Sequence, residues 1–102
     1  MGEIRVTQAA SKDADEIFDF IAFERQNPQG ATRLFKKIDE TLQVLSNNPH
    51  MGEYVARLQP NLRRFVVESD YLIFFEPIEN GILWLRLIHT KRDISIQYFD
   101  QS

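Results

Sequence analysis

The chain has 102 residues, a net charge of −3 and no cysteine. Its length suits a single domain, 1–102, because two cores would each bury too little apolar surface to offset the entropy of ordering the chain. The absence of cysteine excludes a disulfide framework and a thiolate metal site. With only two histidines, His50 and His89, we expect neither a metal nor another cofactor.

The N-terminal sequence MGEIRVTQAA has no basic segment followed by an apolar stretch. No window approaches the run of about 18 apolar residues that a membrane span requires. We therefore expect a cytoplasmic protein with no membrane partner. The acidic balance argues against a protein whose whole surface binds nucleic acid, since phosphate contacts dominate such affinity. A local cationic surface is still possible, because Arg57, Arg63 and Arg64 lie in a stretch without acids.

The first half of the sequence predicts one strand and two helices. Residues 3–8 alternate apolar and polar side chains, which predicts a short edge strand. Ser11 is the predicted N-cap of a first helix, whose apolar stripe runs along residues 12–25 with acidic residues in its first turn. Asn27, followed by proline, predicts the start of a second helix that ends at Asn47. The short link between them predicts a helical hairpin.

The second half predicts three strands after a long loop. Residues 48–61 show no period and are expected to form the loop. Residues 62–69, 71–78 and 82–89 are strand-like and are separated by turn sequences, which predicts an antiparallel meander. The pattern leaves the form of residues 94–102 open. The predicted fold is α+β in the order β-α-α-β-β-β, a helical hairpin packed on one face of a small, mainly antiparallel sheet with a short C-terminal tail.

Alternation along the last predicted strand assigns its side chains to two faces. Leu83, Leu85 and Leu87 are expected to face the helices. The opposite face is expected to carry Ile82, Trp84, Arg86 and Ile88. That face is too apolar for ordinary solvent-exposed surface and too charged for a core, which indicates a surface that binds another protein.

Four stretches in this order resemble a known family. They are ASKDADEIFDFI in the first helix, NNPHMG at the end of the second, the hairpin PNLRRFVVESDYLIFFEPIENG, and LRLIHTKRD at the end of the last strand. Together they resemble the ParE/RelE superfamily of toxins from bacterial type II toxin–antitoxin (plasmid stabilisation) modules, over residues 4–93. The resemblance implies a small toxin that causes growth arrest and is neutralised by a co-encoded antitoxin.

The superfamily has two branches with different activities. ParE-like members are similar to gyrase poisons, which hold the complex of DNA gyrase with cleaved DNA and perform no bond chemistry. RelE-like members are enzymes that cleave messenger RNA on the ribosome. The resemblance to the RelE branch implies catalytic roles for Arg63, Arg92 and Tyr98, but Leu72 stands where that branch has an arginine after the hairpin tyrosine Tyr71. This departure favours the ParE-like branch, and a toxin fold that has lost its activity is a third alternative.

Two sets of residues are predicted to contact other molecules. The residues predicted to bind the target are Arg64, Arg86, His89, Lys91 and Arg92. The residues predicted to bind the antitoxin are Phe20, Phe23, Trp84 and Ile88. Each set has a structural alternative. The cationic segment 89–93 can be a simple strand exit, and the apolar surface can be a homodimer contact or a docking site for the tail. His89 is expected to be a hydrogen-bonded boundary residue rather than a catalytic base.

Overall fold

The computed structural model describes residues 2–92 and combines a helical hairpin with a five-stranded sheet. The elements are β1 (Glu3–Val6), α1 (Gln8–Asp19), a π-helical turn (Phe20–Glu24), α2 (Pro28–Asn47), β2 (Glu53–Tyr54), β3 (Arg63–Val67), β4 (Tyr71–Ile78) and β5 (Gly81–His89). The predictions for residues 94–102 lie outside the described residues. No helix in residues 2–92 is both long and apolar enough to cross a membrane.

The sheet has the order β1-β5-β4-β3-β2. The pairs β2–β3, β3–β4 and β4–β5 are antiparallel, whereas β1 pairs in parallel with β5 at one edge. The predicted α+β fold, with its helical hairpin and mainly antiparallel sheet, is confirmed. The sequence pattern missed β2, because two residues are too few to show an alternation.

The first helix begins earlier than predicted. Its N-cap is Thr7, whose hydroxyl oxygen accepts a hydrogen bond from the Ala10 N–H at 3.1 Å, and the helix starts at Gln8. The prediction of Ser11 as N-cap, with acidic residues in the first turn, is therefore wrong. Thr7 looked like a strand residue because it continues the alternation of β1. Its hydroxyl lies 2.9 Å from the Leu85 carbonyl, so the same residue ties the start of α1 to β5.

The second helix begins and ends where the sequence predicts. Asn27 is its N-cap and accepts a hydrogen bond from the Gly30 N–H at 3.0 Å, with Pro28 in the first helical position. The residue before the cap, Gln26, has a φ of 52°, in the left-handed region that closes tight turns. This turn reverses the chain and forms the predicted hairpin.

A bulge in β5 changes which side chains face the helices. Phe74 pairs with Arg86 and Phe75 pairs with Trp84, so Leu85 is an extra residue without a partner in β4. One extra residue shifts the alternation by one position. As a result Trp84 and Leu87 both lie in the core on the helix side, although two residues separate them.

The faces predicted for β5 are therefore wrong for the residues before the bulge. They are correct for Leu87 and Ile88, which follow it. Ile82 and Trp84 belong to the helix-side core, whereas Leu83 and Leu85 belong to the opposite face. Leu87 faces the helices as predicted. The opposite face is itself covered, because Val55, Leu58 and Leu62 from the long loop pack on Leu72, Phe74, Leu85 and Ile88. The loop thus closes a second apolar cluster.

Asp13 joins α1 to the bulge. Its carboxylate accepts hydrogen bonds from Arg86 Nε at 2.6 Å and Arg86 Nη2 at 2.8 Å, and from the Leu87 N–H at 3.0 Å. The side chains of Arg86 and Asp13 are only 18% and 13% exposed. A two-point contact between a guanidinium and a largely buried carboxylate is short and directional. We call this set of contacts the Asp13 clasp.

Replacement of Asp13 by alanine is expected to lower the free energy of unfolding by about 2–4 kcal/mol, because it leaves the Arg86 charge and the Leu87 N–H without their carboxylate partner. The measurement is urea denaturation. Asp15→Ala, on the exposed side of the same helix, is the control and should change the value by less than about 0.5 kcal/mol.

The double variant Asp13→Ala/Arg86→Met should be less destabilised than Asp13→Ala alone, because the guanidinium that lost its carboxylate partner is removed as well. Equal stability of Asp13→Ala and Asp15→Ala would contradict the importance of the clasp.

Candidate functional site

The cationic residues predicted to bind the target do not all lie together. Arg86, His89 and Arg92 line one groove between α1 and the end of β5. Lys91 is exposed in the turn that follows β5. Arg64 lies on β3, two strands away from Arg86. The predicted target-binding set therefore splits into a cluster at the end of β5 and one separate arginine.

The groove between α1 and β5, called the α1–β5 groove from here on, has a volume of about 320 Å³. Its walls are Asp13, Glu16, Ile17 and Phe20 on the helical side and Tyr71, Arg86, Leu87, Ile88, His89 and Arg92 on the sheet side. Both apolar and charged side chains line it. Such a groove can accept a side chain or short segment of a partner protein.

A tight turn ends β5. The Arg92 N–H donates to the His89 carbonyl at 3.0 Å, and the Lys91 N–H donates to His89 Nδ1 at 3.1 Å. His89 also packs edge-on against Tyr71, with ring centroids 5.1 Å apart. His89 thus lies at the boundary of the core and accepts a hydrogen bond there, in agreement with the structural reading of its sequence position.

Tyr71 is held in a half-buried position beside His89. Burial raises the pKa of Tyr71 above its ordinary value because it disfavours the phenolate, and the nearby negative charge of Asp70 acts in the same direction. Arg25 acts in the opposite direction to a smaller extent. Tyr71 therefore stays protonated well beyond neutral pH and packs with its ring against His89.

Arg86 is not an exposed cation. Its guanidinium is engaged by Asp13 in the clasp, and its side chain is 18% exposed. Arg64 likewise has an acidic partner, because its Nε lies 2.6 Å from Glu53 Oε1 on β2. The hydrogen bond and charge of Arg64 lower the pKa of Glu53. Lys91 and Arg92 are thus the exposed cations of the predicted set.

The residues that the RelE resemblance implies as catalytic are spread out. Across the sheet, Arg63 of β3 is in register with Phe75 of β4 and Trp84 of β5. The last residue of β5, His89, is in register with Val67 of β3, four residues further along that strand. Four residues along a strand span about 13 Å, so the backbone of Arg63 lies about that far along the sheet from the level at which β5 ends. Arg63 donates to the His50 carbonyl at 2.8 Å, and its guanidinium lies 5.3 Å from the centre of the Tyr54 ring. Tyr98 lies outside the described residues.

The residues predicted to bind the antitoxin also divide into two pairs. Phe20 and Phe23, in the π-helical turn, are 49% and 72% exposed. Trp84 and Ile88 are 6% and 3% exposed, so the expectation that they form an exposed face is wrong. Trp84 packs in the helix-side core because of the bulge, and Ile88 packs in the cluster under the long loop. Of these four residues, the phenylalanine pair is the one that presents an exposed apolar surface.

Comparisons with known proteins identify the family. A family described as "ParE toxin of type II toxin-antitoxin system, parDE" matches residues 4–94. The chain belongs to the ParE toxin family. It is a toxin of a type II toxin–antitoxin system, and an antitoxin is its partner. The family match spans nearly every residue that forms the groove and the turn after β5.

A solved structure resembles this ParE-family chain in fold. It is described as "Chromosomal ParDE TA system from P. aeruginosa" and matches with a TM-score of 0.71 and 22% sequence identity, covering 89% of this chain and 98% of that chain. At this identity the similarity supports the α+β architecture. A search of curated proteins found no match.

Sequence reasoning missed Asp13 as a structural residue of this site. We interpreted the acids of the first helix as favourable charges near its start. Asp13 nevertheless lies three residues after Ala10 and four before Ile17, on the apolar stripe that packs against the sheet. An acid on such a stripe requires a partner, and Arg86, the single charged residue of β5 before His89, is that partner.

Replacement of Tyr71 by phenylalanine should flatten the loss of stability at high pH. Because the pKa of Tyr71 is raised in the folded state, the protonated phenol favours the folded state relative to the phenolate. This contribution to stability is complete below about pH 10, the ordinary tyrosine pKa, and is lost as pH rises through the folded pKa. The measurement is the free energy of unfolding from pH 8 upward, together with the absorbance of tyrosinate. Tyr54→Phe, at a more exposed ring, is the control. Identical pH profiles for the wild type and Tyr71→Phe would contradict the expectation.

Proposed function

We propose that this ParE-family toxin inhibits DNA gyrase by stabilising the complex of gyrase with cleaved DNA, and that its antitoxin neutralises it by covering the exposed phenylalanine pair, Phe20 and Phe23, of the helical hairpin. The observation that carries the proposal is the ParE family match over residues 4–94. A gyrase inhibitor of this kind needs a surface that binds, with no residues arranged for bond chemistry.

The local structure supports a non-enzymatic role. RNA cleavage through the 2′-hydroxyl requires a base, an acid and cations converging on one phosphate. Arg63 donates to the His50 carbonyl and lies at the end of β3 remote from the level at which β5 ends and the turn with Arg92 begins. Leu72, where the RNase branch has an arginine, is 6% exposed and packs in an apolar cluster. Its position could hold no charge without a buried partner.

The turn after β5 is the best candidate for contact with gyrase. Lys91 and Arg92 are exposed, and the hydrogen bonds to His89 hold the backbone of the turn in place. A rigid turn loses little conformational entropy when it binds. Both side chains can therefore approach an acidic protein surface or the DNA held by gyrase.

The double variant Lys91→Ala/Arg92→Ala is expected to reduce the inhibition of gyrase supercoiling about tenfold, as judged by the toxin concentration for half inhibition, because two exposed cations are removed from one contact. The assay also measures linear, cleaved DNA, which should accumulate with the wild type. Lys36→Ala/Lys37→Ala, on the exposed side of α2, removes the same charge and should inhibit normally.

Wild-type protein that folds but leaves gyrase unaffected would contradict the gyrase proposal. In that case cleavage of messenger RNA on purified ribosomes would separate the RNase branch from a toxin fold without activity.

Phe23→Ser is expected to weaken antitoxin binding at least tenfold with little change in stability, because the ring is 72% exposed in the toxin alone and would be buried in the complex. The measurement is calorimetric titration of the antitoxin encoded beside this chain. Val44→Ser, at an exposed apolar residue of α2, is the control. If Phe23→Ser instead changes only the mass of the toxin in solution, the phenylalanine pair is a homodimer contact.

A further inference from the structure

The exposed phenylalanine pair is continuous with the α1–β5 groove. Phe20 lines the groove and also lines a shallow depression that contains Phe23. The two rings project from a π-helical turn, a local geometry that is frequent at functional sites. One partner segment could therefore place one apolar side chain in the groove and a second against Phe23.

The depression that contains Phe23 is lined by acidic residues. The depression is lined by Glu16, Asp19 and Glu24 as well as by the two rings. Glu16 has a weak ion pair with Lys12 at 4.0 Å, and both of these side chains are largely exposed. Within residues 2–92, Asp19 and Glu24 form neither a salt bridge nor a side-chain hydrogen bond, whereas Asp13 is engaged in the clasp.

Cations near this surface do not neutralise it. Arg25 lies over the face of Phe20, 5.5 Å from the ring centre, and Lys12 lies beside Glu16. Four acids, Asp15, Glu16, Asp19 and Glu24, share the exposed surface of this segment with these two cations. The balance of this helical segment is two negative charges, and the exposed Arg92 lies across the groove on the sheet side. Burial of Asp19 and Glu24 under a neutral or acidic segment would cost free energy, because neither carboxylate would find a partner.

We propose that the antitoxin segment that docks on this surface is basic and apolar: a large apolar side chain enters the α1–β5 groove beside Phe20, and lysine or arginine residues flanking it pair with Asp19 and Glu24. This inference rests on the proposed docking of the antitoxin on the phenylalanine pair and adds the charge of the docking segment. It is consistent with the chain as a whole, which has a net charge of −3. A toxin of this charge attracts a partner whose docking segment is positive.

The test titrates the full toxin with the full antitoxin encoded beside it, at two salt concentrations. Asp19→Asn/Glu24→Gln is expected to raise Kd about three- to tenfold, mainly through a slower association rate, and to weaken the dependence of Kd on salt. Asp39→Asn/Glu40→Gln, which removes the same charge from the exposed side of α2, is the control and should change Kd less than about twofold. Both variants should unfold at wild-type urea concentrations.

Charge reversal identifies the basic residues of the partner. Asp19→Lys/Glu24→Lys should weaken binding more than the neutral variant, since it places like charges in contact. Each lysine and arginine of the antitoxin is then changed in turn to glutamate. The residue that contacts the surface is the one whose change weakens binding to the wild-type toxin and restores binding to the reversed toxin.

The outcomes separate this inference from the function on which it rests. Tight binding of wild-type toxin that is unchanged or strengthened in Asp19→Asn/Glu24→Gln would overturn the basic segment and leave antitoxin docking intact. No binding of the antitoxin to the wild type would overturn both. Equal effects of the two neutral variants would show general electrostatic attraction, which also overturns a specific contact at Asp19 and Glu24.

Discussion

The Asp13 clasp is the interaction on which the site depends. The bulge at Leu85 interrupts the ladder between β4 and β5, and the N–H of Leu87 donates its hydrogen bond to the Asp13 carboxylate on α1. The same carboxylate accepts hydrogen bonds from the Arg86 guanidinium. Asp13 is therefore the partner of both a backbone N–H and a charged side chain that is largely shielded from water. The clasp therefore sets the distance between α1 and the end of β5, and with it the width of the groove.

Much of the fold was predictable because several signals agreed. Asn27 followed by proline marks the start of α2, and Asn47 marks its end. The hairpin between β4 and β5 was predictable from Asn80 and Gly81. The start of α1 was not, because Thr7 both continues the alternation of β1 and caps the helix. A threonine suits both roles, and only its contact with β5 decides between them.

The side-chain directions in β5 show why the site was harder to predict than the fold. An alternating pattern assigns faces correctly only while the strand remains regular, and one inserted residue reverses the assignment. The sequence contains no glycine at the bulge to mark it. Trp84 was therefore placed on an exposed face, whereas it is buried with its indole N–H donating to the Arg86 carbonyl at 2.9 Å. Phe20 and Phe23 were found because they lie outside the apolar stripe of α1, a feature that depends on local periodicity alone.

The parallel pairing of β1 with β5 has a consequence for how the toxin is made. Thr7 and Leu85, which meet at the start of α1, are 78 residues apart in sequence, and β1, the clasp, the groove and the cationic turn all require β5. Contacts between residues so distant in sequence form late in folding. During synthesis at about 5–20 residues per second, none of these features can exist until β5 has left the ribosome. The groove and the cationic turn, which are the surfaces proposed to bind the antitoxin and gyrase, are therefore complete only once almost the whole described chain has been synthesised.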